Sequence, residues 1–400
     1  MRQTSIKHYD HPAHFEPLMP GPAKLAGLVE QSRPIVTQSL ALQGALAIDA
    51  RAELQELVRA MNSYYSNRIE GQSTHPLNIE KALKSDFSKR PDVARRQRIA
   101  VAHIDAEKEL EALQLPEARA FSSETLRLAH EGLYRRLKEP DRHTDEGQVV
   151  APGIWRDKGV KVHLHETPIA TAIPAFLKRA DEVYCRTWGL EKLLAAAACS
   201  HHRLIWVHPF LDGNGRACRL QLHAILHGLT GGLWSANRGL ARQREEYYRR
   251  LSEADMARHG DLDGRGNLSE KMLLAWCSFF ISVCQDQATF MTQLLEPETL
   301  KGRVAALIRV RAAERPGSDY REEAILPLLH VLGLGAVSRG EFIQMTGLGT
   351  STARKVLSRL LTDGLLKSES HKGAVRIAFP LDALNILFPH LYPEAAALKE

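Results

Sequence analysis

The 400-residue sequence has no C-x-x-C pair, and its five cysteines (Cys185, Cys199, Cys218, Cys277 and Cys284) are odd in number, several lying inside apolar helical runs. Neither a disulfide framework nor a zinc–thiolate site is expected, and a reducing cytoplasm is the compartment that fits. No apolar run approaches the roughly 18–20 residues that cross a bilayer; the best, around 193–199, is short and alanine-rich. The opening M-R-Q-T-S-I-K-H-Y-D lacks the apolar stretch of a secretion signal. Internal repeats and low-complexity segments are missing as well. Neither sign of charge dominates, with 53 basic against 47 acidic residues and a net +6. That excess permits a nucleotide or nucleic-acid partner without demanding one. What is present is ordinary globular composition, 44% apolar and 25% charged, in a chain too long for one average domain.

Helical periodicity dominates. In residues 51–61, Leu54, Leu57, Val58 and Met61 recur at i, i+3, i+4 and i+7, one apolar stripe with charges opposite. Similar patterns recur at 95–113, 122–137, 175–184, 190–206, 216–227, 243–258 and 269–294, with a further helix near 300–313. Residues 1–45 hold several prolines and few strong patterns, and read as an irregular arm wrapped around a core. Residues 153–173 break the helical rule: polar and apolar positions alternate around Val160, Val162 and Leu164, which predicts a short β-hairpin. The expected division is an N-terminal arm and helical region over 1–115, a helical core over 116–295, and a linker helix with a small C-terminal module over 296–400.

The most informative residues are 208–219, H-P-F-L-D-G-N-G-R-A-C-R. Gly213, Asn214 and Gly215 form a loop whose backbone N–H groups can turn inward, because two of the positions lack a Cβ. Apolar periodicity resumes at Leu220, so the loop opens a helix, and a helix N-terminus favours anions. Arg216 and Arg219 lie i, i+3 on its first turn, where both guanidinium groups can address one polyphosphate. Asp212 is a hard oxygen ligand suited to Mg²⁺ bridging phosphates. His208 precedes the loop, within reach of a nucleophile approaching a cradled phosphate. Each residue alone has an ordinary structural explanation; a base, a metal ligand, an anion nest and two arginines together do not.

This string resembles, without a mismatch, the signature H-x-F-x-[DE]-G-N-G-R-x-x-R of the Fic (filamentation induced by cAMP) family. The likeness extends over roughly 45–290 through His130, the G-I-W-R stretch from Gly153, C-S-H-H-R-L at 199–204 and D-G-R-G-N-L-S-E from Asp263. It implies a mainly α fold, a helical Fic core with a small β-hairpin flap. It also implies protein adenylyltransferase activity, moving AMP from ATP to a Tyr, Ser or Thr hydroxyl of a target protein. His208 would then be the general base and Asp212 the holder of Mg²⁺ between the α- and β-phosphates. Gly213, Asn214 and Gly215 would form the anion hole, with Arg216 on the β-phosphate and Arg219 on the γ-phosphate. The hairpin resembles the family's flap, which registers a target backbone by strand addition. Arg244, Tyr247 and Tyr248 are candidate contacts for adenosine, either tyrosine serving equally well to pack the core. His163, His165, His201 and His202 have no carboxylate or thiolate partner at a defined spacing, so zinc is not expected there.

Residues 66–71, S-N-R-I-E-G, place Ser66 and Glu70 on one face if the preceding helix continues, with Gly71 as a natural stop. They resemble the family's inhibitory motif [ST]-x-x-x-E-[GN], in which the glutamate pairs with the second motif arginine, here Arg219, and obstructs the γ-phosphate. Downstream, 337–345, a turn at 346–349 and 350–361 have helix–turn–helix spacing, followed by an alternating wing-like stretch, and resemble a winged helix. From Ser338 to Ile377 there are seven basic and three acidic residues, a local +4 suited to phosphate contacts, with Arg354, Lys355, Arg359, Lys372 and Arg376 expected to face outward. DNA binding through 337–377 and a protein-contact role both fit. The partners implied are a target protein, the chain itself through auto-modification, and a second copy as a homodimer; no membrane is expected. Two alternatives stand beside adenylyl transfer: hydrolytic removal of AMP with Glu70 orienting water, and DNA-binding regulation with the Fic core modifying the chain or a partner.

Overall fold

The computed structural model describes residues 9–45, 47–144, 146–162, 165–314 and 317–392. The architecture is mainly helical, with two small antiparallel hairpins. The chain begins with α1 (Pro22–Gly44), α2 (Ile48–Ile69), α3 (Pro76–Leu83), α4 (Pro91–Ala112), the single turn α5 (Glu117–Ala120) and α6 (Ser123–Tyr134). Hairpin strands β1 (Lys161–Val162) and β2 (His165–Glu166) follow, then α7 (Ile173–Tyr184), α8 (Leu190–Val207) and α9 (Asn214–Thr230). Next come α10 (Ala236–Arg242), α11 (Arg244–Ala254), the long α12 (Glu270–Leu294) and α13 (Pro297–Glu314). The C-terminal part holds α14 (Ile325–Leu334), α15 (Arg339–Met345), α16 (Thr350–Thr362), β3 (Leu366–Lys367), β4 (Arg376–Ile377) and the turn α17 (Leu384–Leu387).

The centre is α8, apolar around most of its circumference, with every residue from Leu193 to Leu204 buried. Such a helix has no solvent face and must be enclosed. Helices α1, α7, α9 and α12 surround it. The five cysteines are free thiols, and all but Cys185 are buried in this packing. No helix among the described residues is long and apolar enough to cross a membrane.

Residues 22–44 overturn the expectation of an irregular arm. Pro22 takes the first helical position, where its missing N–H costs nothing, and the helix runs through Pro34. Leu28, Ile35 and Leu42, with Ser32 and Ser39 between them, are buried at seven-residue spacing. Each serine hydroxyl returns a hydrogen bond to the carbonyl four residues back, so small polar residues occupy a core stripe that reads as weak in the sequence. Burial against α8 and α12 thus outweighs the proline penalty of ~3 kcal/mol. The hairpin expected over 153–173 narrows to a register of Lys161 opposite Glu166 and Val162 opposite His165; His163 and Leu164 lie outside the described residues.

Helix α2 is fastened along its length. Asp49 accepts from the Ala336 N–H at 2.8 Å, Glu53 pairs with Lys367, and Tyr65 donates to the Leu391 carbonyl at 2.9 Å. On its other side Arg59 and Asn62 reach Glu111 and Glu107 of α4. The C-terminal elements occur in the expected order of helix, turn, helix and hairpin, with Val337 bridged to Val375. Two of the five cations expected to face outward are engaged instead. Arg359 is half-buried, pairs with Asp363 at 3.0 Å and lies over the Tyr320 ring, and Arg376 pairs with Glu369 at 3.0 Å.

Candidate functional site

His208 ends α8 in the left-handed conformation (φ 50°, ψ 61°), which turns the chain sharply out of the core. The loop that follows is locked by Asn214, whose amide both accepts from the Phe210 N–H and donates to the Phe210 carbonyl, each at 2.9 Å. Asn214 therefore shapes the loop from within. Arg156, almost wholly buried, clamps the same turn: its Nε donates to the His208 carbonyl at 2.7 Å, and its own backbone N–H to the Pro209 carbonyl at 2.8 Å. Burial lowers its pKa to about 10, which leaves it charged at neutral pH.

His130 of α6 lies flat against Phe210, ring centroids 3.7 Å apart. The Gly153 N–H can only donate, so Nδ1 accepts at 3.0 Å and Nε2–H donates to the Asp212 carbonyl at 3.1 Å. That fixes the neutral tautomer, and burial pushes its pKa down to about 3. One helical turn on, the Tyr134 hydroxyl donates to Asp212 Oδ2 at 2.5 Å and accepts from Arg216 Nη2 at 3.0 Å. Arg216 also reaches Asp212 Oδ2 at 3.2 Å and the Gln72 side chain at 3.0 Å. Burial would raise the Asp212 pKa, but Arg216, the Tyr134 hydroxyl and the Gly213 N–H together hold it below the usual carboxylate range. Its side chain stays 43% exposed, so an anionic carboxylate faces solvent.

Gly213, in the left-handed conformation (φ 77°), caps α9, and a Cβ there would fall 2.4 Å from the Tyr134 ring. A Cβ on Gly215 would meet Glu70 Oε1 at the same 2.4 Å. The Glu70 carboxylate thus rests at the first turn of α9. Arg219, with 1% of its surface exposed, donates Nη2 to Glu70 Oε1 at 2.6 Å and to the Ser66 carbonyl at 3.0 Å, while Nε donates to Ser66 Oγ at 3.0 Å. Glu70 itself caps the C-terminus of α2, where a helix dipole disfavours an anion; the N-terminus of α9 and Arg219 supply the compensating charge.

Glu70, Gly215 and Arg219 form one side of a cavity of about 920 Å³, whose other walls include His208, Arg244 and Tyr248. That volume matches the sites that hold nucleotide-sized ligands. Tyr248 is 39% exposed, its hydroxyl donating to the Ile69 carbonyl at 3.2 Å, and Arg244 donates to the same carbonyl at 2.8 Å. Tyr247 instead packs in the core, bonded to His201 at 3.0 Å and set against Trp276. The hairpin residues His165 and Glu166 line the same cavity. Burial, with His165 and Arg156 nearby, lowers the His208 pKa to about 4, so its imidazole is neutral at working pH.

The structure brings His208, Asp212, Gly213, Gly215, Arg216, Arg219, Ser66 and Glu70 together. Of the other histidines weighed for metal, His165 and His202 both face the Asp255 carboxylate, at 3.7 and 3.2 Å, a partner that spacing along the chain does not reveal, while His165 also bonds the Trp206 carbonyl and His201 meets Tyr247; His163 lies outside the described residues. Tyr134, Arg156 and Gln72 complete the site without having been singled out beforehand. Tyr134 had a usable signal, its i+4 spacing from His130 on one helix face, and Arg156 closes the quoted G-I-W-R stretch, whereas Gln72 had none beyond adjacency to S-N-R-I-E-G.

Residues 120–226 match the family model described as the Fic/DOC family. A curated relative, the protein adenylyltransferase Fic of Nematostella vectensis, is 28% identical over 207 residues, 50% of this chain. The match spans 43% of that relative's own length. Among solved structures, a Fic family protein from Desulfovibrio desulfuricans G20 superposes with a TM-score of 0.51 at 18% identity, covering 91% of this chain and 99% of that one. Residues 134–508 of Fic-1 from C. elegans give 0.51 at 18% identity, over 68% of this chain and 73% of that one. At such identities these two likenesses concern the fold alone.

Proposed function

Residues 120–226 are a Fic domain, and from that premise we propose that the chain transfers AMP from ATP to a hydroxyl side chain of a target protein and is restrained by Glu70. The carrying observation is that His208, the first turn of α9 and the Glu70–Arg219 pair share one nucleotide-sized cavity. His208 takes the acceptor proton as the hydroxyl oxygen attacks the α-phosphorus; the new P–O bond forms as the bond to the bridging oxygen breaks, and pyrophosphate leaves. The N–H groups of Gly213–Gly215 and the α9 dipole stabilise the charge that develops, while Arg216 and Arg219 grip the β- and γ-phosphates. Asp212 fits a magnesium ion that keeps several of its waters, because its carboxylate is ionised, fixed by Tyr134 and Arg216, and open to solvent. Such an ion would neutralise phosphate charge there. Tyr248, with Arg244 beside it, supplies the aromatic face for adenosine; Tyr247 supports it from the core.

The test is to incubate the protein with ATP labelled at the α-phosphate or the γ-phosphate and with lysate. Label in protein from the α-position and none from the γ-position is expected. Failure of both the wild type and its Glu70→Gly variant to label any protein, the chain itself included, would remove the proposal. Release of AMP from a premodified target without forward transfer would favour hydrolysis.

The His208 pKa carries its own expectation. A base must be deprotonated to act, and with a pKa of about 4 rather than 6.5 the imidazole is neutral above that value and is lost to protonation as pH falls through it. In the free enzyme kcat/KM should be flat from about pH 7 down to about pH 5 and fall below. An acid limb near 6.5 would mean that burial does not depress the His208 imidazole, and only its persistence in His208→Asn would place the titrating group elsewhere.

The compartment inferred is the cytoplasm. For the C-terminal elements we read a winged helix over residues 337–377, with the N-terminal part of α16 as its recognition face. Arg354, Lys355 and Lys372 are exposed there and make no ion pair among the described residues. Three phosphate contacts give an expected slope of about −3 in log K against log salt for duplex DNA. Fluorescence titration of the full chain at several salt concentrations measures it; binding unchanged in the Arg354→Ala, Lys355→Ala double variant would assign this face to protein contact.

A further inference from the structure

Away from the nucleotide cavity, at the far end of α9, lies a second cluster of metal-competent groups. His223 and His227 are i, i+4 on α9, so both rings leave the same face, toward α4. Glu111 Oε1 stands 2.8 Å from His223 Nε2 and 3.8 Å from His227 Nδ1, and the three donor atoms all lie within 4.8 Å of one another. We propose that Glu111, His223 and His227 hold one divalent transition-metal ion, Zn²⁺ being the fitting occupant, in a site that ties α4 to α9.

Four features carry this. The donor set is two imidazoles and one carboxylate, which suits zinc and its neighbours in the first transition series. Ligands about 2.0–2.2 Å from a tetrahedral ion stand about 3.3 Å apart, so an ion would replace the 2.8 Å His223–Glu111 hydrogen bond by a slight opening of that pair and draw His227 Nδ1 inward from 3.8 Å. Buried His227 Nδ1 has no hydrogen-bond partner, nor does Oε2 of the buried Glu107, whose Oε1 lies 3.6 Å from His223 Nε2. Finally, the surrounding shell is built: Arg59 of α2 donates Nε and Nη2 to Glu111 Oε2 at 2.9 and 2.6 Å, which orients the carboxylate and turns Oε1 toward the imidazoles. His227, with its side chain 36% exposed, gives the ion a path from solvent and leaves a position for water. An ion here would join α9, whose other end carries Gly215 and Arg219, to α4 and, through Arg59, to α2, whose C-cap is Glu70.

The experiment uses the full chain without an affinity tag, stripped with chelator and titrated calorimetrically with Zn²⁺ alone. One equivalent should bind to the wild type and raise its thermal midpoint. His227→Ala, a half-exposed position whose folding is checked by its melting curve, should weaken uptake at least tenfold and abolish the thermal shift. Glu111→Gln should do the same, and Asp212→Ala should leave both readouts intact. The visible absorption of bound Co²⁺ should appear in the wild type and disappear in His227→Ala. The proposal is overturned if the wild type takes up no zinc, if His227→Ala binds it equally, or if Asp212→Ala is the variant that loses it.

Discussion

His208→Ala is expected to lower AMP transfer by about 10²- to 10⁴-fold, the contribution of a positioned general base, while ATP affinity changes little. The asymmetry follows from the geometry. His208 sits at the end of α8, whereas the groups proposed to grip the nucleotide, Arg216 and Arg219, stand at the start of α9. The comparison belongs in a Glu70→Gly background, where transfer is measurable, with initial rates of α-label incorporation set beside nucleotide affinity by calorimetry. His208 occupies a left-handed conformation (φ 50°), which alanine tolerates less well than asparagine. His208→Asn is therefore the second variant: it keeps the turn and should be equally inactive. Near-normal labelling by either protein would end the base assignment.

Glu70→Gly is expected to raise transfer roughly 10- to 150-fold. Arg219 cannot be held by a carboxylate and also grip a γ-phosphate bidentately, and a charge-assisted hydrogen bond is worth ~1.5–3 kcal/mol. The observed contact is short, 2.6 Å, and Arg219 is 1% exposed. Glu70→Gln keeps the length of the side chain but gives up its charge, and should release less. Removing Glu70 also leaves a buried guanidinium without a carboxylate partner among the described residues, held by Ser66 Oγ and the Ser66 carbonyl. The unliganded Glu70→Gly protein should thus melt a few degrees lower than wild type, and ATP with Mg²⁺ should restore the difference. Equal initial rates of auto-modification for wild type and Glu70→Gly would remove restraint from the proposed function and leave the pair as a structural one.

Much of the site could be read before any coordinates because its chemistry is local. From His208 to Arg219 the proposed base, the carboxylate, the glycine loop and both arginines lie within a short loop and the start of one helix, where spacing decides which groups share a face. The partners that tune them come from far along the chain. Tyr134 is 78 residues from Asp212, Arg156 is 52 from His208, and Glu111 is 112 from His223; periodicity carries no information about such pairings. Two local readings failed for opposite reasons. Around Pro34 the helix-breaking signal was real, but a buried stripe at seven-residue spacing outweighed it. At Arg359 the pattern placed a cation on the outer face of α16, yet Asp363 and the Tyr320 ring occupy it. Helix positions can be read from a pattern more readily than the neighbours that engage them.

The attachment of α2 bears on how fast the restraint can be lifted. Withdrawing the whole helix would break its links to Ala336, Lys367, Leu391, Glu107 and Glu111 together, a collective displacement of the kind that takes microseconds to milliseconds. Turning the Glu70 side chain about its own bonds gives up a single hydrogen bond, because the helix has already ended at Ile69 and Gly71 carries the chain away in a left-handed turn (φ 71°). Rotamer exchange of a partly exposed side chain takes picoseconds to nanoseconds, and a breaking ion pair slows it without approaching the roughly 0.1 s of a typical catalytic cycle. If Glu70 restrains transfer as proposed, the restrained and open forms would therefore interconvert many times within each turnover, and Glu70 would act on the fraction of competent molecules, leaving the rate of each competent encounter unchanged.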